Sequence, residues 1–274
     1  HSVIEQGVKG CLIDQNKVHM LSKPEWSVTG AVCITVDDTT KALGDMAAFN
    51  RRRTPVSVIA ITGSNGKTTT RKMTSDVVSR RFCTLSTQGN LNNDIGLPLT
   101  LLNLTKDHQW AVVELGMNRP GEIERLAEIC LPDIGLITNI GPAHLEGLGS
   151  MEAVTKAKGE LLGKIKPDGM AILNADDPRL MKLAEVTPIN VLLFGMSKDA
   201  AIRAESVEEK GEGLSFSLVL PDETISVHLN TPAMFMISNA LAAAAAGHLL
   251  GLTAVEIKSG IEAFKPVQGR MNIH

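Results

Sequence analysis

The chain has 274 residues, of which 43% are hydrophobic and 21% are charged, and its formal net charge is -3 at pH 7. This composition is typical of a globular protein and excludes a disordered one. The slightly acidic balance disfavours general nucleic-acid binding, because a polyanion favours a basic surface. The sequence has no signal peptide pattern and no uninterrupted apolar run of about 18 residues. We therefore expect a cytoplasmic protein without membrane insertion.

The cysteines occur singly in apolar contexts, with no CxxC pair that would indicate zinc binding or redox chemistry. They predict buried, reduced thiols. The four are Cys11, Cys33, Cys83 and Cys130.

Residues 1–53 contain two short apolar stretches, 10–13 and 31–36, which predict strands. Thr39 is the expected cap of a helix that runs to Asn50, and the basic residues 51–53 then suggest a solvated linker. These elements are too few for a self-sufficient domain. We therefore interpret 1–53 as the C-terminal part of an N-terminal domain, and the abrupt chain ends suggest a piece of a longer protein.

From residue 54 the pattern alternates between strand and helix, which is typical of a mostly parallel sheet covered on both faces. The predicted strands are 56–62, 110–115, 134–139, 170–174 and 190–195, and the predicted helices are 67–81, 94–103, 121–130, 152–165 and 178–186. Alternating segments at 214–220 and 224–229 predict a β-hairpin, and helices follow at about 235–250 and 253–264. The predicted fold is α/β: a mostly parallel P-loop sheet, a small antiparallel hairpin and a remnant of an N-terminal α/β domain.

A turn that links the first of these strands to its helix has the residues of a phosphate-binding loop. It reads Gly63-Ser64-Asn65-Gly66-Lys67-Thr68-Thr69. Glycines let backbone N–H groups close around an anion at a helix N-terminus, Lys67 supplies a cation, and a Thr68 hydroxyl can ligate magnesium. Ile61 stands where the common Walker A pattern has its first glycine, so the loop is a shortened GxxGKT variant. A glycine-rich structural turn is the alternative.

Two further side chains follow predicted strands at the same edge of the sheet. Glu114 ends a buried strand, where a carboxylate can reach a metal ion bound beside the phosphate loop. His144 lies in a Gly-Pro loop after strand 134–139, where a surface histidine is the simpler interpretation. Parallel topology brings the carboxyl ends of these strands together.

Helix 152–165 carries Lys156, Lys158 and Glu160, which by themselves suggest a charged, solvated face. An ammonium group repels magnesium, so a lysine could bind the metal there only as an anion. Carbon dioxide forms such an anion, a carbamate, on a neutral amine, and this requires a depressed lysine pKa.

The polar loop 87–98 is rich in side-chain amides, including Asn92 and Asn93, with Asp94 beside them. Such a loop can cap the next helix and do nothing more. It can equally donate hydrogen bonds to a polar substrate, and the residues alone do not decide between the two.

Taken jointly and in order, these segments resemble the Mur ligases, the ATP-dependent amide-forming enzymes of peptidoglycan synthesis. The resemblance extends from about residue 30 to the chain end. The matching motifs are TGSNGKTT at 62–69, GNLNNDIGLP at 89–98, ELG at 114–116, AHLEGLG at 143–149, KAKGE at 156–160, NADD at 174–177, NALAA at 239–243 and GR at 269–270.

The resemblance implies a role for each matching residue. Residues 63–69 and Lys67 would bind the ATP phosphates, and Thr68 and Glu114 would bind one magnesium ion. His144 and a carbamylated Lys158 would bind a second magnesium, which replaces the solvated interpretation of that lysine. Further roles are implied for Asn239, Arg270 and the 92–94 loop.

Asn239 matches an adenine-binding asparagine, and Arg270 matches an arginine that approaches the terminal phosphate and joins Lys67, His144 and Lys158 as a catalytic residue. Asn92, Asn93 and Asp94 would face the muramoyl-peptide substrate. Phe235 departs from the family, which usually has a histidine four residues before that asparagine.

The resemblance is greatest to the family member that adds D-alanyl-D-alanine to a UDP-muramoyl-tripeptide. It implies a monomer that uses ATP and Mg²⁺, a central ATP-binding domain at 54–274, and a C-terminal ligase domain that is missing here. We therefore expect this polypeptide alone not to ligate. The alternatives are another Mur ligase or a folylpolyglutamate-synthetase-like ligase, a nucleotide-binding module without ligase activity, and a P-loop kinase.

Overall fold

The structure is a computed structural model that describes residues 7–20, 32–142, 148–211 and 213–265. Strands β1 (Gly10–Asp14) and β2 (Val32–Val36) pair in parallel as a separate two-stranded sheet, with Cys11 opposite Cys33. A 3-10 helix, Gln15–Met20, follows β1 and was not predicted from the sequence. The two strands predicted in this part of the chain are therefore confirmed.

The main sheet contains nine strands, in the order β11-β10-β9-β8-β7-β6-β3-β5-β4. Its strands are β3 (Ser57–Thr62), β4 (Thr84–Ser86), β5 (Trp110–Glu114), β6 (Ile134–Ile137), β7 (Met170–Asn174), β8 (Asn190–Gly195), β9 (Ile202–Lys210), β10 (Gly213–Val219) and β11 (Thr224–Leu229). Strands β4 to β9 and β3 pair in parallel, while β10 pairs antiparallel with β9 and β11. The α/β fold with a mostly parallel sheet and a hairpin is therefore confirmed.

Strand β3 lies between β5 and β6, so the chain moves to one side of β3 and then crosses to the other. The carboxyl ends of these three strands therefore flank a topological switch point, where open α/β sheets bind their ligands. All three strands are buried along nearly their whole length, as expected for the centre of a sheet covered on both faces.

Helices cover both faces of this sheet. They are α1 (Thr39–Arg53), α2 (Lys67–Val78), α3 (Gly96–Leu101), α4 (Glu122–Cys130), α5 (Met151–Gly159), α6 (Pro178–Val186), α7 (Phe235–Leu249) and α8 (Ala254–Glu262). Helices α2, α7 and α8 belong to the core on one face, and α1 and α3 to α6 belong to the core on the other. Helix α2, which begins in the phosphate-loop motif, is thus fixed between β3 and the α7–α8 pair.

The alanine run of α7 sets how closely that helix approaches its neighbours. Ala242 to Ala246 are all fully buried, and α7 packs against α2, α8 and strand β8. Small side chains allow helix axes to come close, so the N-terminus of α7 reaches the loop that starts α2.

Several sequence expectations are wrong in detail. Asp38, not Thr39, caps α1, because its carboxylate accepts hydrogen bonds from the backbone N–H groups of Thr40 and Lys41. Arg51 is not part of a solvated linker: it lies inside α1, is 4% exposed, and donates to the carbonyl oxygen of Cys130 and to Asp133. Helix α1 packs against α3 and α4.

Three further differences have simple causes. Cys83 is exposed, because it precedes the short strand β4 at the sheet edge, and only Cys130 is fully buried. Helix 152–165 ends at Gly159, and a short 3-10 helix, Leu162–Lys164, follows. Strand β9 went unpredicted because its charged outer half masks the alternation. Among the described residues no helix is both long and apolar enough to cross a bilayer.

Candidate functional site

The loop between β3 and α2 adopts a backbone that only glycine accommodates. Gly63 has φ +147° and Gly66 has φ +79°. A Cβ on Gly63 would lie 1.9 Å from the Thr138 hydroxyl, and one on Gly66 would lie 2.6 Å from Asn239 Oδ1. Because both clashes are with neighbouring elements, the two glycines fix how tightly the loop packs into the rim of the sheet.

Two lysines donate to the same backbone carbonyl in this loop. Lys67 Nζ lies 2.9 Å from the carbonyl oxygen of Gly63 and 3.2 Å from that of Ser64. Lys158 Nζ, from the last turn of α5, lies 3.1 Å from the Gly63 oxygen. The structure therefore brings together two lysines that are 91 positions apart in the sequence, beside the N-terminus of α2.

Lys158 is a buried cation, with only 1% of its surface exposed. Burial, and secondarily the positive charge of Lys67, lower its pKa to about 8. Removing an ammonium group from water disfavours its charged form, and a nearby like charge acts in the same direction. A larger fraction of this amine is thus neutral near pH 7 than for an ordinary lysine, whose pKa is 10.5.

Glu114 is the buried acid of the site. The Thr68 hydroxyl lies 3.2 Å from Glu114 Oε1, and the Asn92 amide donates to the same oxygen at 2.8 Å. The Glu114 backbone N–H donates to the Thr87 hydroxyl. Helix α2, strand β5 and the 87–98 loop therefore meet at this carboxylate.

The donor set around Glu114 fits a hard divalent cation. Its second oxygen, Oε2, is buried and accepts no hydrogen bond from the part of the chain that the structure describes, and Arg71 Nε lies 3.8 Å away. A carboxylate oxygen next to a threonine hydroxyl matches the oxygen ligands that magnesium prefers. No group of three or more His, Cys, Asp or Glu side chains suited to a metal occurs in the described ranges.

A cavity of about 1290 Å³ opens in front of the loop and extends across the rim of the sheet. It is large enough for a nucleotide and part of a second ligand. Its lining includes residues 64–69, 92–94 and 116–122, with Glu114, Arg125, Leu126, Asn139, Phe235, Ser238 and Asn239. Lys158 is not among these lining residues, and it contacts the loop through the carbonyl oxygen of Gly63.

Asn239 lies on α7, directly behind the loop. Its Oδ1 accepts a hydrogen bond from the Thr70 hydroxyl at 3.1 Å, and its Nδ2 lies 3.6 Å from Met236 Sδ. Phe235 begins α7 and lines the same cavity with 62% of its surface exposed. An exposed aromatic ring therefore stands at the cavity wall where the family resemblance implies a histidine.

The amide-rich loop performs one of its two predicted roles. Asn93 Oδ1 accepts hydrogen bonds from the backbone N–H groups of Ile95 and Gly96, so this side chain caps α3. Asn92 contacts Glu114, and its backbone carbonyl accepts from Gly116 N–H. Asp94 is exposed and lines the cavity with both asparagines.

Two candidate residues, His144 and Arg270, lie outside the described residues. The sequence reasoning also missed several that the structure brings to the rim: Thr87, Arg119, Thr138 and Asn139. The signal for the last two was present, since Thr-Asn directly follows β6 at the carboxyl edge of the sheet. Arg119 follows β5 by a short loop of the same kind.

The strand–loop–helix unit, with its central strand and the acid on the neighbouring strand, defines a P-loop α/β fold. The chain belongs to the Mur ligase family: the family described as the Mur ligase middle domain matches residues 61–247. This membership sets aside the P-loop kinase alternative.

Individual relatives agree. The UDP-N-acetylmuramoyl-tripeptide--D-alanyl-D-alanine ligase of Escherichia coli is 40% identical over 241 residues, which are 87% of this chain and 53% of that protein. The corresponding ligase of Haemophilus influenzae is 35% identical over 99% of this chain and 59% of its own length. The crystal structure of MurF from Acinetobacter baumannii superposes with a TM-score of 0.85 at 32% identity, covering 96% of this chain and 61% of that one. The chain thus spans between half and two thirds of the length of these relatives.

Proposed function

We propose that this chain is the ATP-binding part of a cytoplasmic ligase that adds D-alanyl-D-alanine to UDP-N-acetylmuramoyl-tripeptide. The observation that supports the proposal most is the convergence of Lys67, Thr68, Glu114 and Lys158 on one rim of the parallel sheet, around the turn that begins α2. The similarity to D-alanyl-D-alanine ligases supports the choice of reaction within the family.

In this proposal the ATP phosphates bind at residues 63–69, where the N-terminus of α2 carries a partial positive charge. The Lys67 ammonium leaves its present carbonyl partners and neutralises phosphate oxygens. Asn239 and the exposed Phe235 ring stand on the α7 side of the cavity, at the end where the adenine base would lie. Arg270 would approach the terminal phosphate.

Thr68 and Glu114 would hold one magnesium ion, and His144 with a carbamylated Lys158 would hold a second. When bound, the metal ions supply positive charge that offsets the crowded phosphate and carboxylate anions. The burial of Lys158 and its lowered pKa support the carbamate, since only a neutral amine attacks carbon dioxide. The pair of hydrogen bonds from Asn92 and Thr68 orients the Glu114 carboxylate toward the cavity.

The reaction follows from the poor reactivity of a carboxylate as an acyl donor. The terminal carboxylate of the tripeptide attacks the γ-phosphorus of ATP, giving an acyl phosphate and ADP. The amine of D-alanyl-D-alanine then attacks the acyl carbon, and a tetrahedral intermediate expels inorganic phosphate. The contribution of this chain is to position the reactants and to stabilise their negative charge.

We assign residues 1–53 to the C-terminal part of a UDP-substrate domain and 54–274 to the central ATP-binding domain. Asn92 and Asp94 face the muramoyl-peptide, while Asn93 acts mainly as the cap of α3. The active form is a monomer that takes only small-molecule substrates.

The test is phosphate release by the complete protein that contains this sequence, with ATP, Mg²⁺ and UDP-N-acetylmuramoyl-tripeptide, with and without D-alanyl-D-alanine. Release that needs both substrates supports the proposal. Release that is indifferent to the dipeptide contradicts it and favours a relative with a different amine substrate or a nucleotide-binding module without ligase activity. Mass spectrometry of the bicarbonate-treated, ATP-bound protein then tests Lys158, where an unmodified amine would contradict the carbamate.

A further inference from the structure

The segment that follows β6 is joined to the phosphate loop along its length. We call residues 138–141 the strap. The backbone N–H of Thr138 donates to the carbonyl oxygen of Thr62 at 3.0 Å, and the backbone N–H of Ser64 donates to that of Asn139 at 2.9 Å. The parallel pairing of β3 with β6 thus continues beyond both strands, into the residues that form the loop.

Side chains add a second set of bonds between the same two segments. Asn139 Oδ1 accepts from the backbone N–H of Asn65 at 2.9 Å, while Asn139 Nδ2 donates to the carbonyl oxygen of Asn65 at 3.1 Å. The Thr138 hydroxyl donates to that same carbonyl at 2.7 Å. The Asn139 amide therefore binds both backbone polar groups of Asn65, with its oxygen as the acceptor and its nitrogen as the donor.

Ser64 completes the connection. Its hydroxyl donates to the carbonyl oxygen of Gly141 at 3.0 Å and accepts from the Gly141 N–H at 2.8 Å. The strap is itself fixed from the opposite side, since Asp177 accepts from the Ile140 N–H at 2.6 Å and Asn174 donates to the Thr138 carbonyl. The loop is thus tied to β7 and α6 through the strap.

These bonds decide which backbone groups the loop can offer to an anion. The Asn65 N–H points at Asn139, so it does not point into the cavity. Within residues 63–69, the backbone N–H groups that face an anion therefore start at Gly66, whose positive φ turns the chain into the first turn of α2. Without the Asn139 side chain the Asn65 N–H loses its partner, while the Asn65 carbonyl keeps the Thr138 hydroxyl. The loop is then held less firmly in the orientation that the first turn of the helix needs.

We infer that Asn139 is a positioning residue for ATP: it holds the Asn65 peptide in the orientation in which the loop accepts phosphate. That the ligand is ATP rests on the proposed function, whereas the hydrogen bonds between Asn139 and Asn65 do not. Asn139 acts through Asn65. It raises the affinity for ATP because it holds the loop in the binding conformation before ATP arrives.

The test compares Asn139→Ala and Asn139→Asp with wild type, each in the complete protein that contains this sequence. Hydrogen–deuterium exchange of the peptide covering 62–69 is measured without nucleotide, and the dissociation constant of ATP is measured with Mg²⁺. In Asn139→Ala we expect faster exchange of this peptide and a dissociation constant about tenfold higher, the effect of losing the two hydrogen bonds between Asn139 and Asn65. Asn103→Ala is the matched control, because Asn103 also donates to a backbone carbonyl, but on an exposed surface away from the cavity.

The aspartate variant separates positioning from general loosening. Asn139→Asp keeps an acceptor for the Asn65 N–H, so it should protect the 62–69 peptide better than alanine does. Its added negative charge should nevertheless weaken ATP binding at least as much. If the variants only loosened the fold, the variant with the faster exchange would also have the weaker ATP binding and the lower unfolding temperature.

The two proposals fail in different ways. If the complete wild-type protein binds ATP and its Asn139→Ala variant binds it within twofold of wild type, the inference is wrong and the proposed function stands. If the complete wild-type protein does not bind ATP, the proposed function is contradicted. The exchange measurement still tests whether Asn139 holds the loop, because unchanged exchange at 62–69 in Asn139→Ala would show that it does not.

Discussion

Lys158 donates a hydrogen bond to the carbonyl oxygen of Gly63 at 3.1 Å, so a helix and a loop that are 95 residues apart meet through a buried amine. The contact places a charge where burial is unfavourable, and the lowered pKa of about 8 expresses that cost. The buried Lys158 therefore lowers the free energy of unfolding, at a position that the proposed chemistry requires.

Replacing Lys158 should therefore stabilise the chain at neutral pH. In buffer without carbon dioxide, Lys158→Met should raise the free energy of unfolding at pH 7 by up to about 3 kcal/mol, the equivalent of a pKa lowered from 10.5 to about 8. Denaturant unfolding measures this. Lys156→Met, on the exposed side of the same helix, is the control and should change little.

The gain should also depend on pH with a definite sign. Between pH 8 and pH 10.5 the unfolded chain keeps the lysine proton and the folded chain does not, so wild-type stability from this group rises with pH across that window. The advantage of Lys158→Met should consequently shrink from pH 8 to pH 10.5. An advantage that is constant with pH would show that the lysine is not buried as a strained cation.

Gly63 should tolerate no side chain. Gly63→Ala combines a positive φ with a Cβ 1.9 Å from the Thr138 hydroxyl, and we expect it to lower the free energy of unfolding by about 3 kcal/mol. Chemical denaturation is the measurement. Gly163→Ala is the matched control, since a Cβ there meets nothing within 4 Å, and it should stay within about 1 kcal/mol of wild type.

Glu114→Gln should weaken ATP binding only when a divalent cation is present. The carboxamide keeps the shape of the side chain but removes the charge that a magnesium ion needs. Calorimetric titration with Mg²⁺ should show a loss of about tenfold or more, and titration in EDTA should show little change. Glu205→Gln, an exposed acid on β9, should leave both titrations unaltered. Equal losses with and without Mg²⁺ would mean that Glu114 does not act through a cation.

The cysteines should differ sharply in reactivity. Cys83 is exposed, whereas Cys130 is fully buried and burial raises its thiol pKa to about 12. A thiol reagent at pH 8 should therefore label Cys83 in the folded chain and should label Cys130 only after denaturation. Peptide mapping by mass spectrometry distinguishes the two. Fast labelling of Cys130 in the native chain would contradict the packing of α4 against the sheet.

The elements of the main sheet were predictable from sequence because periodicity reports burial. Strand 170–174 and helix 178–186 agree with the structure to the residue, since a continuous apolar run and a proline at the helix start fix their limits. Strand β9 escaped because only its first half is buried. The cap of α1 was misassigned by one residue because Asp38 and Thr39 are both good capping residues.

The site was less accessible to sequence reasoning, because its decisive contacts join distant segments. Local pattern found the phosphate loop and Glu114, but it assigned Lys158 to a solvated face until the family resemblance was considered. Nothing local indicates that Lys158 is buried against Gly63, or that Asn139 holds the Asn65 peptide. Both relationships depend on the order of strands in the sheet, and a single sequence does not encode that order in any local pattern.

The central claim is that residues 63–69, Glu114 and the Thr68 hydroxyl form one site for ATP and magnesium. A crystal structure with Mg²⁺ and a non-hydrolysable ATP analogue tests it directly. We expect the phosphates to lie against residues 63–69, with a magnesium ion about 2.1 Å from the Thr68 hydroxyl oxygen and coordinated by Glu114. A triphosphate bound elsewhere, or a cation that touches neither Thr68 nor Glu114, would contradict the account.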